Sequence, residues 1–189
     1  MIRRVLLFGV LVVMVLSACA ESAPTVPEYA GAIEEVTDAY IAESQMLSAT
    51  FQRTVEGEVA RILGEGSDDA LGEVTDVTKR EMVLYLALLE DAMGRYVDGL
   101  SEIRPPGELA ETHTDYLDAV ESVYRAMPAT RASVESALHL DGIEGALAGS
   151  GVQDGQPRLT STCRSLEASV RAEGTGLDLG CNRPIAASR

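Results

Sequence analysis

The chain has 189 residues, of which 46% are hydrophobic, and its 15 basic and 30 acidic side chains give a formal net charge of −15 at pH 7. A chain of this length fits a single domain with a core of its own. The acidic excess repels nucleic-acid phosphates and anionic lipid headgroups, which excludes both as electrostatic partners of the folded domain.

Residues 1–19 have the order of features that is typical of an export signal. Arg3 and Arg4 precede an apolar run over residues 5–16, which ends in Leu-Ser-Ala-Cys at residues 16–19. The run is too short to cross a bilayer, because a spanning helix needs about 20 apolar residues. This order resembles the signal peptide and lipobox of bacterial lipoproteins.

The resemblance implies a place and an anchor. Residues 1–18 would be removed, and Cys19 would become the first residue of the protein and carry fatty acids such as palmitate. Two or more acyl chains give stable attachment at roughly 0.8 kcal/mol for each buried CH₂. We expect a lipid anchor on the extracytoplasmic side of the cell membrane or outer membrane. The alternative is an ordinary cleavable signal peptide in which the cysteine occurs by chance.

Helix one is predicted to begin at Pro27, a favourable first-turn residue, so that residues 19–26 form a lipidated tether. Its apolar residues are spaced by threes, fours and one seven, which indicates a helix: Ile33, Val36, Tyr40, Leu47, Phe51, Val55, Val59 and Ile62. Residues 64–74 are predicted to be an acidic connector. They lack the ligand spacing of an EF-hand calcium loop, which leaves a weak cation site as the alternative.

Helix two has the most regular pattern, with gaps of four and three that predict a heptad seam: Met82, Leu86, Leu89, Met93, Tyr96, Leu100 and Ile103. Pro105, Pro106 and Gly107 end it, and the short turn predicts an antiparallel hairpin with helix three. Helix three begins near Glu108, and we expect a kink or break at Pro128 because proline removes a backbone donor. Its apolar pattern then continues through Val134, Leu138 and Leu140.

The C-terminal third is predicted to contain a long connector and one further helix. Residues 141–156 are rich in glycine, and Pro157 then opens helix four, which ends at Gly174 or Gly176. The predicted fold is all-α: an up-down four-helix bundle over residues 27–181 with a kinked third helix. A flexible tail follows at residues 182–189.

Cys163 and Cys181 remain after the lipidated cysteine is set aside. The export implied by the lipobox means an oxidising location, which favours a disulfide that ties the C-terminal tail to helix four. Two thiols with no further cysteine or histidine nearby do not make a zinc site, so no metal site is predicted. The Pro-Pro hairpin, the nearby histidine and the late cysteine pair also resemble helical lipoproteins of GC-rich bacteria over about residues 82–181.

The sequence contains none of the usual catalytic or cofactor motifs. His113 and His139 are the only histidines, and neither stands three residues after a glutamate as in a di-iron bundle. There is no Cys-x-x-Cys-His for a haem and no Gly-x-Ser-x-Gly for a serine hydrolase. We therefore expect no cofactor and no enzymatic activity.

His113 is the one polar residue on the apolar stripe of helix three. It is predicted to be half-buried and bonded to a carbonyl of the Pro-Pro turn or to Asp98, and the alternative is a ligand-binding role.

Because helix four is short, the membrane-proximal half of the bundle should contain only helices one to three. That section predicts a groove whose walls carry aromatic rings with polar tips: His113, Tyr29, Tyr40, Tyr96 and Tyr116. Alternatively, the tyrosines only cover a core.

Three functional hypotheses follow. The first is a non-enzymatic lipoprotein that presents an interaction or scaffold surface to an unknown protein of the cell envelope. The alternative is a module that binds a small molecule or a metal in the Tyr/His groove between helices one to three. An enzyme with an irregular site is the least favoured. All three hypotheses include the membrane as a partner, through the N-terminal lipid, and exclude nucleic acid.

Overall fold

The computed structural model describes residues 23–181. Within that range all regular secondary structure is helical, which confirms the predicted all-α class. Five α-helices and one 3₁₀ turn follow one another along the chain: α1 (Val26–Glu65), α2 (Ala70–Glu102), the turn Gly107–Leu109, α3 (Ala110–Ser136), α4 (Leu140–Ala148) and α5 (Gly151–Ala172). The predicted signal peptide, Cys19 and the tail at 182–189 lie outside the described residues.

The start of α1 is fixed by a capping box. The side chain of Thr25 accepts a hydrogen bond from the amide of Glu28, whose carboxylate accepts the amide of Thr25 at 2.8 Å. Both bonds satisfy amides that the first turn of a helix leaves without partners. The helix therefore begins one residue before the predicted Pro27. It ends at Gly66, whose φ of 68° lies in the left-handed region that favours glycine.

The helices pack in the order α1 on α2, α2 on α3, and α3 on α5, with the short α4 against α3 and α2. The main core includes five side chains that are fully shielded from solvent: Ile33, Leu100, Val120, Leu166 and Val170. A smaller cluster forms under α4. No helix within residues 23–181 has both the length and the apolar character that crossing a membrane requires.

Residues 173–181, here called the strap, follow α5 and lie between α5 and α1. The amide of Leu179 donates to Oε1 of Glu167 on α5 at 2.9 Å, and the amide of Asp178 donates to Oε1 of Glu34 on α1 at 3.2 Å. Cys181 at the end of the strap is disulfide-bonded to Cys163 on α5, with the two Cα atoms 5.7 Å apart. The predicted disulfide is confirmed, and the strap bridges α5 and α1 on one side of the bundle.

The connectors are shorter than predicted. Because α2 begins at Ala70, the second half of the expected connector at 64–74 is helical. Most of the glycine-rich stretch at 141–156 is also helical, since it forms α4 and the first turns of α5. Ile143 of α4 is buried against the smaller core cluster, so tertiary packing overrides the low helix propensity of glycine.

Two helix ends also differ from the prediction. Helix α5 begins at Gly151 instead of Pro157, because Ser150 caps it by accepting the amide of Gln153 at 3.2 Å. Helix α3 continues through Pro128 without a break and ends at Ser136. Leu138, which was expected on the apolar stripe, is 79% exposed because it lies in the link to α4.

Candidate functional site

The structure divides the five predicted groove residues into two groups. Tyr29 and His113 form a buried pair, with 1% and 5% of their surfaces exposed, and the Tyr29 hydroxyl lies 3.0 Å from Nδ1 of His113. The His113 ring also hydrogen-bonds the backbone of Leu100. Its partners are therefore neither Asp98 nor the Pro-Pro turn, and it is buried instead of half-buried.

Burial makes the Tyr29–His113 pair electrically neutral. Desolvation lowers the pKa of His113, against a smaller opposing effect of its hydrogen bond with Leu100. Desolvation also raises the pKa of Tyr29. A neutral imidazole donates through one nitrogen and accepts through the other, so the two bonds satisfy the ring. The pair thus joins α1 to α3 through a neutral hydrogen bond within the core.

The other three tyrosines meet where α1, α2 and α3 come together. The Tyr96 hydroxyl lies 3.1 Å from Oγ1 of Thr37 and 2.6 Å from the Tyr116 hydroxyl. The ring of Tyr40 is stacked on that of Tyr96, with centroids 4.8 Å apart and planes 12° from parallel. Burial raises the pKa of all three phenols, so each keeps its proton at neutral pH.

The hydroxyl of Tyr40 differs from the other two. It is buried, and no atom of residues 23–181 forms a hydrogen bond with it. Leaving a buried polar group unsatisfied costs about 1–3 kcal/mol, and buried tyrosines usually have a partner. This hydroxyl is therefore a feature for which the packing of the helices supplies no explanation.

Tyr40, Tyr96 and Tyr116 line a cavity of about 140 Å³. Helices α1, α2, α3 and α5 and the strap all contribute to its wall, and Tyr29 and His113 do not. The cavity differs from the predicted groove between helices one to three in two respects. Tyr29 and His113 lie outside its wall, and α5 and the strap contribute to that wall.

The cavity wall carries no formal charge, although the chain as a whole is strongly acidic. Aliphatic and sulfur-containing side chains form most of the interior: Ile41, Met93, Val120, Leu159, Leu179 and the Cys163–Cys181 disulfide. Neutral polar residues complete the wall: Thr37, Ser44, Gln45, Gln156 and Thr160. An ion would lose its hydration in this space without gaining an opposite charge, so the cavity favours neutral molecules.

Sequence reasoning missed Tyr85 and the α5 residues of the wall. The strap could not be located from the sequence, but the Ser150-x-x-Gln153 pattern is a capping signal. That signal predicts an earlier start for α5, which adds Gln156 to the helix.

Cys163, Glu167 and Cys181 are the group of described residues whose ligand atoms lie close enough for a metal, within 4.8 Å of one another. Both sulfur atoms are used in the disulfide, and Oε1 of Glu167 accepts the amide of Leu179. Since metal binding needs free thiolates, this group is structural in the oxidised protein.

No protein-family model, curated protein or solved structure matches this chain. Function is therefore inferred from the cavity and from the N-terminal sequence.

Proposed function

We propose that this protein is a membrane-anchored, extracytoplasmic lipoprotein that binds a small, neutral and mainly apolar molecule in the cavity between α1, α2, α3, α5 and the strap. One observation carries the proposal: a charge-free cavity in an acidic chain, with the unpaired hydroxyl of Tyr40 on a residue of its wall. Pockets between the helices of bundles are a common location for ligands. The role is binding, without a catalytic step.

The size of the cavity limits the ligand. An engineered protein cavity of about 150 Å³ with an apolar lining holds one benzene molecule. The cavity here has a volume of about 140 Å³. We therefore propose a ligand, or the buried part of a larger ligand, with the volume of one aromatic ring or a short alkyl chain.

A thermal-shift screen against neutral aromatic and short-chain aliphatic compounds tests the binding role. A ligand at 100 times its Kd raises the free energy of unfolding by about 2.7 kcal/mol, which is a readily measured shift. Ser44→Phe places a ring in the cavity and should abolish the shift. Ser101→Phe is the matched control, because Ser101 is exposed and its hydroxyl, like that of Ser44, bonds a carbonyl of its own helix.

The screen has two outcomes that contradict the proposal. The absence of a shift with every compound would exclude binding of molecules of this size. A shift that persists undiminished in Ser44→Phe would mean that the compound binds at another place. A shift in the wild type and in Ser101→Phe, but not in Ser44→Phe, supports the cavity.

The anchor rests on the lipobox-like residues 16–19, which lie outside the described part of the chain. The Cys19→Ala variant should leave the membrane fraction and appear in the soluble envelope fraction. A Cys163→Ala/Cys181→Ala double variant is the control, since it removes two cysteines and should remain with the membrane. Equal membrane retention of Cys19→Ala would contradict the anchor.

An interaction or scaffold role for an unknown envelope protein is the second candidate. Leu84 and Leu88 lie one turn apart on α2 and are 53% and 42% exposed. Loss of a specific crosslinked partner in a Leu84→Glu/Leu88→Glu variant within intact envelopes would support this role. Leu138→Glu, at another exposed leucine, is the control. Identical crosslinking in all variants would contradict it.

We also propose the up-down order of the four long helices, with a bend in α3 at Pro128. The antiparallel packing of α1 and α2 supports this order, since Tyr40 meets Tyr96 while Phe51, further along α1, meets Tyr85, which is earlier in α2. Pro128 cannot donate a backbone hydrogen bond inside α3. An experimental structure with an α3 axis that stays straight at this residue would contradict the bend.

A further inference from the structure

We infer that the ligand of this cavity presents a hydrogen-bond acceptor, such as a carbonyl or ether oxygen, to the Tyr40 hydroxyl, on a body that is otherwise apolar. The inference rests on the proposed binding function and assigns the ligand's chemical class. It is carried by the position and bonding of Tyr40 relative to its neighbours.

Tyr40 is available as a donor. Burial raises its pKa, with smaller contributions from the nearby Tyr85 and Tyr96, so the phenol remains protonated throughout the physiological range. A protonated phenol offers one donor hydrogen. No atom of the described chain accepts that hydrogen.

The neighbouring hydroxyls are already engaged with one another. Tyr96 interacts with both Thr37 and Tyr116, at 3.1 and 2.6 Å. The stacking of Tyr40 on Tyr96 holds the Tyr40 ring in the wall of the cavity. A molecule that enters the cavity can therefore supply the acceptor that the described chain does not.

The rest of the wall restricts the remainder of the ligand. Met93, Val120 and Leu159 offer only apolar surface, and the hydroxyl of Ser44 donates to the carbonyl of Ile41 at 2.9 Å. A polar group of the ligand that lies next to these side chains would lose its water without compensation, so the ligand's polar groups should face Tyr40 or the neutral polar residues Gln45, Gln156 and Thr160. One acceptor on an apolar ring or short chain matches this distribution.

Acetophenone and ethylbenzene make a matched pair of probes, since they share a ring and a two-carbon substituent and differ by a carbonyl oxygen. Calorimetric titration of each into the wild type and into Tyr40→Phe gives a ratio of the two dissociation constants for each protein. We expect Tyr40→Phe to reduce the preference for acetophenone about tenfold, as the loss of one buried hydrogen bond does, and to change the ethylbenzene Kd less than twofold. Tyr124→Phe, outside the cavity wall, should keep the wild-type ratio.

The stability of unliganded Tyr40→Phe provides a check without a ligand. Because the hydroxyl has no partner, its removal should leave the Tm unchanged or raise it. A Tm that falls by several degrees would mean that the hydroxyl is bonded within the protein, and would overturn the inference.

The outcomes separate the inference from the proposed function. If both probes bind and their ratio is the same in the wild type and in Tyr40→Phe, the ligand class is wrong while the binding role stands. If neither probe binds the wild type up to its solubility limit, both the binding role and the inference are overturned.

Discussion

The hydroxyl of Tyr29 lies 3.0 Å from Nδ1 of His113, inside the bundle. Tyr29 is in the first turn of α1 and His113 is in the first turn of α3, so one hydrogen bond joins two helix starts that are 84 residues apart in sequence. The surrounding side chains exclude water from both partners. Each partner therefore depends on the other for its hydrogen bond.

Tyr29→Phe should reveal that dependence. The substitution keeps the ring in the core but leaves Nδ1 of His113 buried without its partner, so we expect a loss of about 1–3 kcal/mol in the free energy of unfolding. Urea denaturation measures the loss. Tyr124→Phe is the control, because Tyr124 is only partly buried, and it should change the free energy of unfolding little. Equal stabilities of the two variants would mean that the Tyr29–His113 bond contributes nothing.

His113 should also make stability depend on pH. Its pKa is lowered in the folded state, so between the folded and unfolded pKa values the unfolded chain binds more protons. Its contribution is therefore fully present above the unfolded pKa of about 6.5 and is lost as the pH falls below that value. We expect urea unfolding from pH 7.5 to 5.5 to show a steeper loss for the wild type than for His113→Gln.

The exposed His139 provides the control for the pH experiment, and His139→Gln should follow the wild-type profile. Carboxyl groups titrate in every variant, so the difference between profiles isolates the imidazole. Parallel profiles for the wild type and His113→Gln would contradict the lowered pKa.

Gly155 lets α5 approach α3 closely. A Cβ atom at this position would lie 2.8 Å from Cγ2 of Val123, a buried β-branched side chain with little freedom to move. We expect Gly155→Ala to lower the free energy of unfolding by about 1–3 kcal/mol despite the better helix propensity of alanine. Gly57→Ala is the matched control, since its Cβ would meet nothing within 4 Å, and it should stabilise α1 by about 0.5–1 kcal/mol. A stabilised Gly155→Ala variant would show that the helices are not closely packed there.

The disulfide should hold the strap more than it holds the helices. Cys163 and Cys181 are 18 residues apart, and closure of a loop of this size contributes about 3 kcal/mol in the chain-entropy model. In a Cys163→Ser/Cys181→Ser variant we expect that loss, together with faster amide exchange at Leu177 and Leu179. Amides in α2 and α3 should exchange at rates set by the global stability alone. Unchanged exchange in the strap would mean that its hydrogen bonds and buried leucines suffice without the bond.

Helix α2 could be predicted because the residues that show the helical spacing are also residues that become buried. The spacing from Met82 to Ile103 follows one face of a helix, and four of the seven seam residues are buried in the bundle: Leu86, Met93, Tyr96 and Leu100. Helix α4, in contrast, could not be predicted from its sequence pattern. Gly142 and Gly145 lower its intrinsic helicity, and the packing of Ile143, Ala146 and Leu147 against the smaller core cluster supports it.

The candidate site was predictable only in part. Tyr40, Tyr96 and Tyr116 were identified because aromatic residues with polar tips suit a half-buried wall. The sequence did not reveal that Tyr29 and His113 satisfy each other, because that contact joins distant parts of the chain. Pro157 misled the placement of α5, because proline is favoured in the first turn of a helix but lies here in the interior of α5.

The disulfide between Cys163 and Cys181 is part of the cavity wall, so the wall is complete only after these cysteines are oxidised. In a copy with reduced cysteines, the backbone bonds that hold residues 178 and 179 to the helices are those to Glu34 and Glu167. The complete cavity wall therefore requires disulfide formation as well as folding. Under the proposed function, a chain whose cysteines are still reduced would therefore bind its ligand less tightly than the same chain after the disulfide has formed.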